Sequence, residues 1–184
     1  MKVIKSKYAI ALLGVALIGL FSMFLFFSTL YRSKQITGIL IADNVERLAD
    51  IFERINKTCG IIDFDFKKNP INFLNVKEFI GSEVGPMNLV YPEKWQGPYV
   101  QDNPTIHDKE FQVIYTNDGY FLTPGDGVTL PNGKVVGKDV IIDENSDIPS
   151  MMQPDGMLFF ENKALASPIS TYREPIMVSA EVGL

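Results

Sequence analysis

The hydrophobic pattern of this 184-residue chain changes character three times. From Tyr8 to Tyr31 the sequence YAIALLGVALIGLFSMFLFFSTLY carries no Asp, Glu, Lys or Arg. As a helix this run rises roughly 36 Å, enough to cross a ~30 Å hydrocarbon core with some tilt. Tyrosines at both ends suit the membrane interface. A cleaved signal peptide has a shorter apolar core, about 7–15 residues, followed by small residues at the cleavage site. The pattern therefore predicts an uncleaved single-pass anchor.

Beyond the span the period becomes amphipathic. Ile41, Val45, Leu48, Phe52, Ile55 and Cys59 recur at spacings of four and three, with Asp43, Glu46, Arg47, Asp50, Glu53, Arg54 and Lys57 on the other faces. That is one apolar stripe on a helix packed against a domain. No proline interrupts it, Gly38 is a local weak point, and Gly60 suits a helical C-cap. One continuous helix from about Tyr8 to Cys59 is expected, its first half in lipid and its second on the domain.

After Gly60 the pattern is mixed, then strand-like. A short helix is expected over Asn75 to Ile80, capped by Asn72 or Asn75, and Gly85 to Pro98 reads as an irregular connection. Glu110 to Tyr115 alternates, and Asn117-Asp118-Gly119 turns the chain into Tyr120 to Thr123. Pro124-Gly125-Asp126-Gly127 is another turn. Val128 to Leu130 and Lys134 to Val136 flank Pro131-Asn132-Gly133 as a second hairpin; Asp139 to Ile142 and Met157 to Phe160 are further short runs. Helix first and hairpins after predict an α+β fold with a small antiparallel sheet.

Charge sharpens this division. Residues 35–184 hold all 22 acidic residues and 12 of the 17 basic ones, a net of −10. Such a domain lacks the basic footprint of nucleic-acid binding, so no nucleic-acid partner is expected. Lys2, Lys5 and Lys7 precede the span and Arg32 and Lys34 follow it. The positive-inside bias then places the N-terminus in the cytoplasm and the domain outside. The division is residues 1–34, stub and transmembrane helix, and residues 35–184, the extracytoplasmic domain.

Enzyme chemistry finds little purchase. His107 is the single histidine, in a polar segment, and reads as a surface loop residue. No phosphate loop, dinucleotide fingerprint, HExxH or CxxC spacing occurs. Cys59, the single cysteine, reads as a small residue packed near the helix end, or alternatively as an intermolecular disulfide partner. The acidic turns Gly125-Asp126-Gly127 and Asp143-Glu144-Asn145-Ser146-Asp147 offer the hard oxygens calcium prefers, but taken alone they read as ordinary Asx-rich turns, and no EF-hand loop is present.

The long helix, then Trp95-Gln96-Gly97-Pro98-Tyr99, then a small sheet with Gly125-Asp126-Gly127 and Glu144-Asn145-Ser146-Asp147-Ile148, resembles the type IV pilin superfamily, most closely the major pseudopilins of type II secretion systems. The N-terminus departs from that family: no acidic residue precedes Asp43, and no leader-cleavage motif precedes the apolar run. Residues 149–184, punctuated by Pro149, Pro154, Pro168 and Pro175, extend past the usual family end, with Met157 to Phe160 expected to add a strand or cover an edge.

The resemblance implies a pilin-like fold and a Ca2+ ion held by Asp126, Asn145, Ser146 and Asp147. It implies Trp95, Gly97, Pro98 and Tyr99 as a structural motif, and residence in a bacterial inner membrane with the domain in the periplasm. The expected function is a non-catalytic structural subunit of a secretion or pilus-type assembly. Its partners are lipid and like subunits, approached through the helix with Ala9, Ala11, Gly14, Ala16 and Gly19 permitting close contact. The alternative is an anchored, non-polymerising binding module of a larger complex.

Overall fold

The structure, a computed structural model, describes residues 2–172, with helix side chains from Leu12 onward. Residues 173–184, Pro175 among them, and the side chains of Ala9 and Ala11 lie outside the described residues. Helix α1 runs unbroken over Lys2–Cys59, six residues further N-terminal than the pattern suggested. Its 58 residues make a rod roughly 87 Å long at 1.5 Å per residue. All six predicted stripe residues are buried at 3% exposure or less, joined by Ala42 and Ile51. The helix ends as Gly60 predicts: its φ is +66°, its N–H reaches the Asn56 carbonyl at 2.9 Å, and Asn56 Oδ1 accepts the Ile61 N–H. The fold is α+β, with this long helix followed by small antiparallel sheets.

The central sheet is ordered β10-β7-β6-β2. β2 is Lys68–Pro70, β6 is Lys109–Thr116, β7 is Gly119–Pro124 and β10 is Ser167–Ile169. The β6–β7 hairpin pairs without a break from Phe111↔Pro124 to Thr116↔Gly119, turning through Asn117 and Asp118 as expected. Thr116 clamps the turn, its hydroxyl accepting from Asp118 N–H and donating to the Gly119 carbonyl. Phe111, Gln112, Val113 and Ile114 are all buried, so β6 is covered on both faces at its middle. Helix α1 lies against β7 and β10.

Several elements differ from expectation. Residues 75–80 form no helix: Val76 N–H bonds to Phe73 O, and the Val76 carbonyl is taken by the Trp95 indole at 3.1 Å. A remote indole claims the Val76 carbonyl that a helix would have used, and tertiary context overrides local propensity. Within Gly60 to Pro98, a second sheet of β1 (Ile61–Phe64), β3 (Glu83–Val84) and β4 (Met87–Leu89) forms in the order β1-β4-β3. The second hairpin narrows to a bridge at Thr129↔Val135, and Val140 pairs only by a bridge with Val136. A four-residue helix, α2, occupies Ile148–Met151. In the extension, β8 (Phe159–Phe160) pairs β9 (Lys163–Ala164), while β10 adds the edge strand of the central sheet. Pro168 is tolerated there because an edge strand leaves one side unpaired.

Gly38 has a packing role that its flexibility does not suggest. It is buried, and a Cβ there would overlap the Phe160 ring and come within 2.8 Å of Pro131 Cγ. The domain therefore touches the helix seven residues past Tyr31. Just below, Gln35 Nε2 donates to Tyr31 Oη and to Glu161 Oε1, both at 3.0 Å.

Two outcomes follow for the full chain in detergent. Gly38→Leu should open this joint and accelerate amide hydrogen exchange over residues 128–136 and 158–160, leaving β6 and β7 protected. Thr123, fully buried on β7, has a hydroxyl without a partner among the described residues. Thr123→Val should therefore stabilise the fold by about 1 kcal/mol in chemical denaturation, because it removes an unsatisfied buried group.

Candidate functional site

Two regions hold the sequence-predicted residues: the bare first half of α1 and the polar loops around the sheet. From Leu12 to Leu30 the helix stands clear of the domain among the described residues. Its apolar side chains stand open, Leu12 at 74% and Phe24 at 67% exposure. No added Cβ at Gly14 or Gly19 would meet a neighbour within 4 Å. The helix is long and apolar enough to cross a membrane once. Past Arg32 and Lys34 the apolar surface does not end. Ile36, Ile39 and Leu40 are 43–58% exposed, on a face the domain leaves uncovered.

The Trp95-to-Tyr99 segment works as a clasp. Trp95 packs edge-on against Phe79 and Tyr99, with centroids at 5.5 and 4.8 Å, while its indole holds the Val76 carbonyl. Gly97 lies against both partners, and any Cβ would overlap Val76 O and Trp95 Nε1. The Gly97–Pro98 peptide is cis. Tyr99 then ties the clasp to Leu74 through its N–H at 2.9 Å and lies beside Arg54 and Cys59 of the last helical turns. Burial, and then the Glu93 carboxylate, push the Cys59 thiol up, with Tyr99 and Lys94 opposing. A buried thiol held protonated agrees with the packing role read from the sequence.

The acidic residues fall into separate hydrogen-bonded neighbourhoods. Asp126 sits beside Lys68 at 3.4 Å, across the turn after β7. In the 143–147 loop, Asp143 Oδ1 accepts the Asn145 N–H and the Ser146 hydroxyl, and Ser146 Oγ accepts the Asp143 N–H. Asp147 caps α2: Oδ1 accepts the Ser150 N–H at 2.9 Å and Oδ2 the Ser150 hydroxyl at 2.7 Å. Glu144 pairs with Lys67, and its carbonyl accepts the Asn117 N–H. Among the described residues no group of three His, Cys, Asp or Glu side chains gathers as a metal site. No hydrogen bond among them joins Asp126 to the 143–147 loop. The loop is ordered by its own Asx bonds and by buried Ile142 and Ile148 on either side.

Sequence reasoning read Gly38 as a weak point and missed its packing role, and it did not single out the Gln35 relay or the Ile36–Leu40 face. Spacing carries a signal for the last: Ile36, Ile39 and Leu40 lie at i, i+3 and i+4, a second apolar stripe on the side of the helix away from the buried one.

Two expectations follow. Gly97→Ala should cost about 1–3 kcal/mol in chemical denaturation, since the methyl group must displace a backbone carbonyl or the indole. The Ser150 hydroxyl and N–H hold the Asp147 carboxyl below its ordinary value. A depressed folded-state pKa stabilises above the unfolded value, and the gain is lost as pH falls through the folded one. Asp147→Asn should therefore lower the melting temperature at pH 7, and the difference should shrink as pH falls below 3.8, the ordinary value for this group.

Compared with known protein families, with characterised proteins and with solved structures, the chain matches none of them.

Proposed function

We propose that this chain is a non-catalytic, single-pass membrane subunit whose long helix packs with copies of itself in a pilin- or pseudopilin-like assembly. The observation carrying this reading is the open apolar face of α1 beyond the basic residues that mark the membrane surface. Acyl chains account for exposed Leu12 to Leu30, but Ile36, Ile39 and Leu40 lie past Arg32 and Lys34, where headgroups and water replace hydrocarbon. Their burial against a neighbouring helix gains roughly 25 cal/mol per Å². Among the described residues the domain packs on the opposite, stripe-bearing side of the helix and leaves them open. The N-terminus is taken as cytoplasmic and the domain as periplasmic on the same reading.

The second reading, an anchored and non-polymerising module of a larger complex, is favoured by the absence of any acidic residue before Asp43. In the family the chain resembles, an early glutamate registers one subunit on the next.

Disulfide crosslinking in membranes separates the two. With Cys59 buried, Ile39→Cys introduces one exposed thiol. Oxidation should give a homodimer on the polymerising reading, and Ile36→Glu in the same chain should abolish it without releasing the protein from the membrane. A discrete band containing a different protein supports the second reading, and a monomer alone removes the first. Calcium belongs to this proposal through the resemblance alone. A calcium-dependent rise in melting temperature that Asp126→Ala removes would support it, and equal melting with calcium and with chelator would withdraw it.

A further inference from the structure

The domain's foot carries a polar cleft that neither the span nor the clasp explains. It has a volume of about 260 Å³ and lies between Ser33, Lys34 and Thr37 of α1 and the loops bearing His107 and Thr129. His107 and Asp108 are the two residues turning β5 (Thr105–Ile106) into β6, both with positive φ, and this tight turn brings the imidazole to the helix. Every polar side chain lining the cleft can donate a hydrogen bond, and no carboxylate lines it. Among the described residues, Lys34 forms no ion pair, and Ser33, Thr37, His107 and Thr129 form no side-chain hydrogen bond. Thr29 and Thr58 of the same helix, by contrast, return their hydroxyls to carbonyls four residues back at 2.8 and 2.7 Å. Residues 35–184 total −10, yet none of their carboxylates lines the cleft, where the Lys34 ammonium is grouped with hydroxyls and an imidazole.

We propose that this cleft binds the phosphate of an anionic phospholipid headgroup. Depth chooses the lipid over free phosphate. Lys34 lies roughly 4.5 Å along the helix axis beyond Tyr31, the last residue of the apolar run, which puts the cleft at headgroup level. The Gly38 joint with Phe160 and Pro131, one turn further on, holds the loop wall against the helix so the cleft keeps its shape. Lys34 supplies the charge, while the hydroxyls and the imidazole N–H supply directed donors to phosphate oxygens. The inference rests on α1 being a membrane span, and its test is arranged to fail separately.

Full-length protein is reconstituted into nanodiscs of phosphatidylcholine alone and of an equimolar mixture of phosphatidylcholine and phosphatidylglycerol. Incorporation into the phosphatidylcholine discs reads the span and says nothing of the cleft. The protein is then extracted in mild detergent and its retained lipid measured by native mass spectrometry. Wild type should retain phosphatidylglycerol several-fold over phosphatidylcholine. Lys34→Gln with His107→Gln should abolish that enrichment, while Arg32→Gln, two residues away on the other side of the helix and outside the cleft, should keep it. Equal enrichment in the double variant overturns the proposal, as does no enrichment in wild type. In a melting assay of the detergent-solubilised chain, short-chain phosphatidylglycerol should stabilise wild type more than inorganic phosphate at the same concentration. Equal stabilisation by the two would make the cleft a free-anion site and overturn the lipid assignment.

Discussion

Covering the apolar stripe of α1 is the constraint on which the rest of the fold depends. The eight residues from Ile41 to Cys59 that line it are essentially withdrawn from water, and the sheet supplies the other wall. Neither layer stands alone. Apart from β6 and β7, no strand among the described residues exceeds four residues, too few for independent stability, and a helix with an open apolar stripe needs a partner. Phe52 shows the dependence at one position: it meets Phe64 of β1 and Phe73 edge-on, with centroids at 6.1 and 6.5 Å. The helix is thus half of the domain's core as well as its tether.

Once that core is fixed, the irregular stretches become a matter of satisfying backbone groups. Asp139 accepts the Val135 N–H, Asn132 the Lys134 N–H and Asp143 the Asn145 N–H. Short acidic and amide side chains compete with regular structure in this way, which is why they concentrate where strands do not form. The acidity of the loops then has a structural basis independent of any ligand. The cleft beneath His107 differs in that its polar side chains have no such internal use.

The parts of the fold legible in the sequence are those whose information is local and periodic. The Ile41-to-Cys59 stripe, the Gly60 cap and the β6–β7 hairpin each declare themselves within a few turns or one tight loop. β1, β3 and β4 do not, because strands of two to four residues carry too little alternation, and β1 is interrupted by a register shift after Ile61. β10 is hidden for a different reason: Ser167-Pro168-Ile169 has no strand signature, and its place at the edge comes from the chain's return to β7. Asn75 to Ile80 carries a plausible helical cap, but Trp95, nineteen residues away, claims the Val76 carbonyl. Of the predicted site residues, the clasp is legible as a motif, although its mechanism, overlap with the indole at any Cβ on Gly97, requires coordinates. The acidic residues could be located but not paired, since pairing depends on which loops the sheet brings together.

The contact at Gly38 has a mechanical consequence. With the joint only seven residues past Tyr31, there is no flexible linker between the apolar rod and the folded head, so the two move as one lever. From Leu30 to Cys59 the rod extends roughly 45 Å, and a tilt of about 20°, ordinary for a membrane helix, sweeps its far end sideways by roughly 15 Å. Bilayer thickness, by setting that tilt, would in this way determine how far sideways, and at what height, the head's distal surface stands.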